Sequence, residues 1–262
     1  MVDDNNKKTY TARGVVQHYA QLRTLQPAEA TILELLKNQL VSMKMLDIGV
    51  GGGRTTQHFS QLVGEYIGID YSTNMIAACQ KRFSRASHPP VFEVCDARDM
   101  SKFSDNSFDF ILFSFNGIDY ISHSERLNVF QEIRRVGKSG GYFFFSTHNL
   151  IGLERAFNWK KQISFNPLSS YVNLVMLAFM HAFNFPINLK YLQASEYAII
   201  KDESHNFRLN TYYVRPREQL KQLESNFRDI KIYSWKTGRE MTSESEINSN
   251  LDMWLYYLCI IK

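Results

Sequence analysis

The chain has 262 residues, 44% hydrophobic and 21% charged, a balance that supports a buried core and excludes long disorder; only Val2 to Lys8 reads as a polar end. Thirty basic and 26 acidic residues leave a formal charge of +4 with no concentrated basic stripe, which argues against a nucleic-acid partner. Cys79, Cys95 and Cys259 stand far apart in apolar segments, so no disulfide framework and no metal site are expected, and a reducing compartment is.

Residues 10 to 42 are helical in character, with Pro27 at a helix start and Ile32, Leu33, Leu35, Leu36 and Leu40 at near-helical spacing. Residues 1–42 are therefore read as an N-terminal helical cover. From Lys44 the texture changes to short apolar runs alternating with amphipathic ones: Met45 to Ile48, then Thr55 to Val63; Tyr66 to Ile69, then Asn74 to Phe83; Val91 to Cys95; Phe108 to Phe113, then Ser124 to Val136; Tyr142 to Phe145. Strands separated by helices imply crossover units, a mostly parallel sheet and a doubly wound α/β fold, with the ligand beyond the carboxyl ends of the strands. This core spans residues 43–149. Residues 150–210 lose the alternation and crowd aromatic and aliphatic side chains without a clean period, an insertion after the fifth strand. Residues 211–262 close the sheet with a helix from Arg217 to Ser225 and strands at Asp229 to Ser234 and Met253 to Ile261, seven strands in all.

The N-terminus lacks the basic-then-apolar order of a secretion signal. Tyr171 to Phe185 is interrupted by Asn173, His181 and Asn184 and ends at Pro186, too short for a membrane span. A cytoplasmic protein is expected.

The densest signal is Met45-Leu46-Asp47-Ile48-Gly49-Val50-Gly51-Gly52-Gly53-Arg54-Thr55, a strand entering a glycine-rich turn and then a helix. Such a turn lets a ligand approach the main chain closely. A dinucleotide fingerprint would need glycine where Arg54 stands, and Asp47 would repel a pyrophosphate. A sulfonium nucleotide with an ammonium group is attracted by the same carboxylate. Tyr66-Ile67-Gly68-Ile69-Asp70 ends the second strand in an acid placed for two ribose hydroxyls.

With Asp47, Gly49, Gly51 and Gly53 matching acidic-x-Gly-x-Gly-x-Gly, the sequence resembles the class I S-adenosylmethionine-dependent methyltransferases, small-molecule type, on a Rossmann-like fold. The resemblance is strong over residues 40 to 148 and weaker over the last fifty. It implies S-adenosylmethionine as cofactor, Asp70 with Tyr71 at the ribose, Asp96 and Ala97 at the adenine edge, and Ser114, in Phe108 to Gly117, on the methionyl side; Met75, on the helix after the second strand, is read either as a residue packing on the adenine face or as a plain core methionine. By position in the N-terminal cover, Arg13 is expected to pair with the methionyl carboxylate.

The cofactor supplies both electrophile and leaving group, so the protein chiefly orients a nucleophile and excludes water. For a hydroxyl acceptor the candidate bases are His148, after the fifth strand, and His18 or Tyr19 in the cover. Ser114-Phe115-Asn116-Gly117 lacks the Asn/Asp-Pro-Pro-Tyr/Phe of amide and exocyclic-amine methylators, and no Pro-Cys pair suits pyrimidine chemistry. A small-molecule acceptor, methylated at O or N, is expected. Phe157, Trp159, Phe165, Tyr171, Phe179, Phe183, Phe185 and Tyr191 are read as the wall of an apolar substrate pocket, with a second small core or a homodimer interface as the alternatives. The rival functions are a cofactor-binding regulatory module without turnover and a nicotinamide-dependent oxidoreductase.

Overall fold

A computed structural model describes residues 14, 15, 19, 21–203 and 206–262. Helix α1 (Pro27–Leu40) begins on its proline, whose missing N–H costs nothing at a helix start, and buries Ala28, Ile32, Leu36 and Leu40. Strands β1 (Lys44–Ile48), β2 (Glu65–Asp70), β3 (Val91–Val94), β4 (Phe108–Phe113) and β5 (Gly137–Asn149) follow. Between them lie α2 (Thr56–Phe59), α3 (Thr73–Phe83) and α4 (His123–Val136). The α2 helix is one turn long where the sequence pattern reaches Val63; beyond it the chain tightens into turns, with Leu62 N donating to Phe59 O at 2.9 Å, before Gly64.

The strands stand in the order β3-β2-β1-β4-β5 and are parallel throughout. Then come β10 (Trp254–Ile261), antiparallel to both neighbours, β8 (Phe227–Ser234) and the short β9 (Glu240–Met241). The seven strands read from the sequence are all present. Three short ones join them to give a ten-stranded sheet: β9, and the antiparallel hairpin of β6 (Tyr197–Lys201) and β7 (Asn210–Val214). The two-residue β9 is too short to show any alternation, and β6 and β7 lie at the end of the stretch whose crowded aromatic and aliphatic residues have no clean period.

Period-two alternation sorts the core into two layers. Phe143 and Phe145 of β5, with Leu255, Tyr257 and Cys259 of β10, face α4 and α8 (Pro216–Glu224); Phe144, Tyr256 and Leu258 face the layer that holds α1 and α3. The Phe143 and Phe145 rings stack with centroids 4.7 Å apart. A capping box fixes the start of α4: Glu125 N donates to Ser122 Oγ at 3.3 Å and Ser122 N to Glu125 Oε2 at 3.0 Å.

After β5 the chain forms α5 (Leu150–Phe157), a 3₁₀ turn (Trp159–Lys161), α6 (Pro167–Phe183) and α7 (Leu189–Ala194). It rejoins the sheet where β7 pairs in parallel with His148 and Asn149 of β5, beyond the last pairing of β4 with Phe145. Leu150, Leu153, Phe157, Met180, Leu192, Ala198, Ile200 and Tyr213 make a small second core. No helix among the described residues is long and apolar enough to cross a membrane.

Candidate functional site

The strand order reverses between β1 and β4, and a cavity opens beyond the carboxyl ends of the strands at that switch point. Its wall includes Asp47, Gly49 and Gly51 from the first loop, Asp70, Tyr71 and Met75 from the second, and Asp96, Ala97 and Arg98 from the third. Ser114, Phe115, Gly117 and Tyr120 close the far side, and Tyr19 reaches the wall from the N-terminal cover.

Asp47 is buried at the end of β1, where its Oδ2 accepts from Thr55 Oγ1 at 2.5 Å and Tyr66 OH at 2.6 Å. Burial pushes its carboxyl up to about 6, against the downward pull of those two donors and of Arg54. Asp70 holds the glycine turn to the β2–α3 turn: Oδ2 accepts from Gly51 N at 3.0 Å and Oδ1 from Ser72 N at 2.8 Å. Burial raises it to about 6 as well. Among the described residues no cation forms an ion pair with either carboxylate.

The three motif glycines all have positive φ, at 65°, 54° and 78° for Gly49, Gly51 and Gly53. Gly49 and Gly51 line the cavity; Gly53 does not. A Cβ on Gly53 would meet the Phe83 ring at 2.5 Å, so this glycine serves helix packing and not the approach of a cofactor. The loop is tied to α3 through Cys79 Sγ donating to Gly51 O at 3.0 Å and the Arg82 guanidinium donating to Gly52 O at 2.7 Å.

Asp96 is on the wall, and its carboxylate takes Arg98 through Nε at 3.0 Å and a terminal nitrogen at 2.6 Å, while Arg98 also reaches Glu125 at 2.7 Å. Ser114 is on the wall with its hydroxyl turned to Glu29, a fully buried residue of α1. Glu29 gathers the Arg54 guanidinium on both oxygens and the Tyr256 hydroxyl at 3.1 Å. The Arg54 guanidinium also lies over the Phe115 ring, 4.9 Å from its centroid. Thus Arg54, the residue that breaks a dinucleotide fingerprint, locks α1 onto the glycine turn.

His148 is not on the cavity wall. It is buried at the end of β5, with Nδ1 2.7 Å from Asp119 Oδ2 and Nε2 3.3 Å from Asn116 Nδ2. The reason is the β7 pairing and the Trp254 and Tyr213 rings, which cover that strand end. Phe115 and Asn116 adopt left-handed φ of 60° and 61°, a costly conformation for side-chain-bearing residues that concentrates at functional sites. Arg13 and His18 lie outside the described residues.

None of the insertion aromatics lines the cavity. Phe157 is spent in the second small core, and Trp159, Phe165, Tyr171, Phe179, Phe183, Phe185 and Tyr191 are exposed. They therefore do not wall the cavity at the glycine turn as expected; the inner stripe of α6, Leu177 and Met180, turns toward the small core instead. Glu29, Arg98 and Asp119 escaped the sequence reading. Glu29 alone had a signal, as an acid three residues after the helix entry.

Residues 46–145 match the family described as a methyltransferase domain. The chain is 31% identical over 152 residues to the biotin biosynthesis bifunctional protein BioHC of Cellvibrio japonicus, covering 56% of this chain and 28% of that protein. It is 37% identical over 99 residues to phosphoethanolamine N-methyltransferase 2 of Caenorhabditis elegans, covering 37% of this chain and 22% of that one. The chain therefore spans less than a third of the length of either. Among solved structures, the N-methyltransferase NodS of Bradyrhizobium japonicum, in complex with S-adenosyl-l-homocysteine, superposes with a TM-score of 0.55 at 12% identity, over 98% of this chain and 99% of that one.

Proposed function

We propose that this chain, whose residues 46–145 match the methyltransferase-domain family, transfers a methyl group from S-adenosylmethionine to an O or N atom of a small molecule. One observation carries the reading: Asp47 and Asp70, buried at neighbouring strand ends and in no ion pair among the described residues, face one cavity beside a glycine turn. Two such carboxylates fit a ligand that brings both positive charge and hydroxyl donors. A dinucleotide, whose pyrophosphate is anionic, fits them poorly.

Asp47, Gly49 and Gly51 would hold the methionyl end, Asp70 and Tyr71 the ribose, and Met75, Asp96 and Ala97 the adenine. The bound cofactor supplies an activated methyl on a cationic sulfur. The chain's own work is orientation and dryness. Phe115, Tyr120 and Ile121 give the wall an apolar side, and Tyr19 is the base candidate whose side chain reaches the cavity. His148 acts from behind the wall, holding Asn116 and with it the strained turn that presents Phe115.

The small-molecule acceptor rests on the near-balanced charge and on relatives such as the phosphoethanolamine N-methyltransferase. The three buried, unpaired cysteines suit the cytoplasm. Isothermal calorimetry tests the cofactor: S-adenosylhomocysteine binds and NAD does not, and the reverse result overturns the reading. A panel of hydroxyl and amine acceptors with radiolabelled donor then separates an enzyme from a binding module.

A further inference from the structure

We propose that α6 and the segments flanking it form a docking surface for an anionic membrane. Among the described residues nineteen large hydrophobic side chains are exposed, and thirteen of them fall between Trp159 and Ile199. Singly scattered exposed apolar residues are ordinary, but a concentration of this kind marks an interaction surface.

The helix itself departs from the usual surface pattern, in which charged residues cover the solvent side. Pro167–Phe183 contains no Asp, Glu, Lys or Arg. Its inner stripe runs through Leu177 and Met180, and its outer face presents Leu168, Tyr171, Val172, Leu174, Phe179 and Phe183. Phe165 before the helix and Phe185 after it are almost wholly exposed, at 110% and 88%.

The outer face is held outward. At the C-terminal end buried Asn184 clamps the helix to β6, accepting from Lys201 N at 2.7 Å and donating to Lys201 O at 2.8 Å. Near the N-terminal end Asn173 Nδ2 donates to Gln162 O at 3.1 Å. These ties hold the helix with Leu177 and Met180 toward the small core and the outer side chains in solvent.

Charge selects the occupant. From residue 155 to 199 the chain carries Arg155, Lys160, Lys161 and Lys190 against one acid, the exposed Glu196. The neighbouring Glu154 is taken by Arg215 at 2.5 Å. An uncharged aromatic helix in a segment with a net excess of three cations matches the headgroup region of a bilayer, where apolar side chains sink in and lysines meet anionic phosphates. A second copy of the chain would bring the same cationic excess against itself across a two-fold axis.

Flotation with lipid vesicles tests this on the full chain. With equal parts phosphatidylcholine and phosphatidylglycerol the chain floats with the vesicles, and with phosphatidylcholine alone binding falls. Lys160→Ala with Lys161→Ala weakens binding to the anionic vesicles by roughly fivefold per lysine. Phe165→Asp with Leu168→Asp abolishes it at unchanged melting temperature, since both side chains are exposed and outside the small core. The proposal is overturned if the parent chain stays with the soluble fraction, or if flotation ignores both pairs of substitutions. It is equally overturned if sedimentation equilibrium finds a dimer that the Asp pair dissolves while vesicles bind neither form. None of these readouts depends on methyl transfer, so the docking surface and the proposed activity fail separately.

Discussion

Asp119 Oδ2 accepts from both the backbone N–H and the Nδ1 of His148, each at 2.7 Å, and so fixes the end of β5 to the turn after β4. The bond to Nδ1 places the ring proton there and leaves Nε2 to accept from Asn116 Nδ2. The other oxygen, Oδ1, takes Arg126 at 2.6 Å and Thr147 Oγ1 at 2.7 Å. Asp119 and Arg126 are both fully buried in their side chains.

Unequal costs follow for the two partners. Asp119→Ala strands the Arg126 charge in the core and is expected to destabilise the fold by about 3–5 kcal/mol. His148→Ala leaves that ion pair intact and removes hydrogen bonds only, a cost of about 1–3 kcal/mol. Urea unfolding of the two variants checks the order. Equal losses would mean that the Asp119 carboxylate is not the counter-ion of Arg126.

Glu29 joins α1 to the glycine turn, because Arg54, Ser114 and Tyr256 all meet on its carboxylate. Glu29→Ala leaves a buried guanidinium unpaired, with an expected loss of about 3–5 kcal/mol. Since Arg54 directly follows Gly53 and its guanidinium lies over Phe115, the same variant should bind S-adenosylhomocysteine less tightly, measured by calorimetry at a temperature where it remains folded. Unchanged affinity would confine Glu29 to stability.

Much of this was legible in the sequence, for identifiable reasons. The parallel core announced itself because β1, β2 and β4 are buried nearly throughout and read as apolar runs ending in Asp47, Asp70 or a polar turn. The glycine turn was visible because positive φ selects glycine. The helices of residues 150–194 were not, since the outer face of α6 is as apolar as its inner stripe and leaves no amphipathic period. Nor was the displacement of His148 from the cavity, which comes from β7 pairing with the last two residues of a β5 that runs four residues past Phe145. That pairing joins segments more than sixty positions apart, and no local pattern records it.

The raised carboxyls give a pH dependence of definite sign. A carboxyl whose folded pKa lies above its unfolded value costs stability when ionised; for Asp47 and Asp70 the cost is absent below the ordinary 3.8 and complete above about 6. The melting temperature of the ligand-free chain should therefore rise as pH falls from about 7 to about 5. Asp99, Glu125 and Glu132 are held below the carboxylate range by their bonds to Ser101, Ser122 and Arg135, so further acidification removes their stabilisation and the curve turns down. Cofactor affinity runs the other way, weakening as the two aspartates protonate. Asp70→Ala should lower affinity by about 1–3 kcal/mol and flatten that pH response. A flat response in the parent chain would contradict the assignment of these carboxylates to the ligand.

The glycines of the turn should not be equivalent. Both Gly51 and Gly53 have positive φ, which an added Cβ disfavours by roughly 1–2 kcal/mol. On Gly51 the new methyl would find its nearest neighbour, the Tyr19 ring, at 3.7 Å, an ordinary contact. On Gly53 it would fall 2.5 Å from Phe83 Cε2 and 3.3 Å from Cys79 Sγ, both on α3. Gly53→Ala must therefore push α3 off the loop as well as strain the turn, adding the roughly 1–3 kcal/mol typical of overpacking. Thermal unfolding should rank Gly53→Ala well below Gly51→Ala, whereas calorimetry with S-adenosylhomocysteine should show Gly51→Ala, the variant that lines the cavity, losing more affinity per unit of stability lost. The same ranking in both measurements would mean that Gly51 has only a packing role.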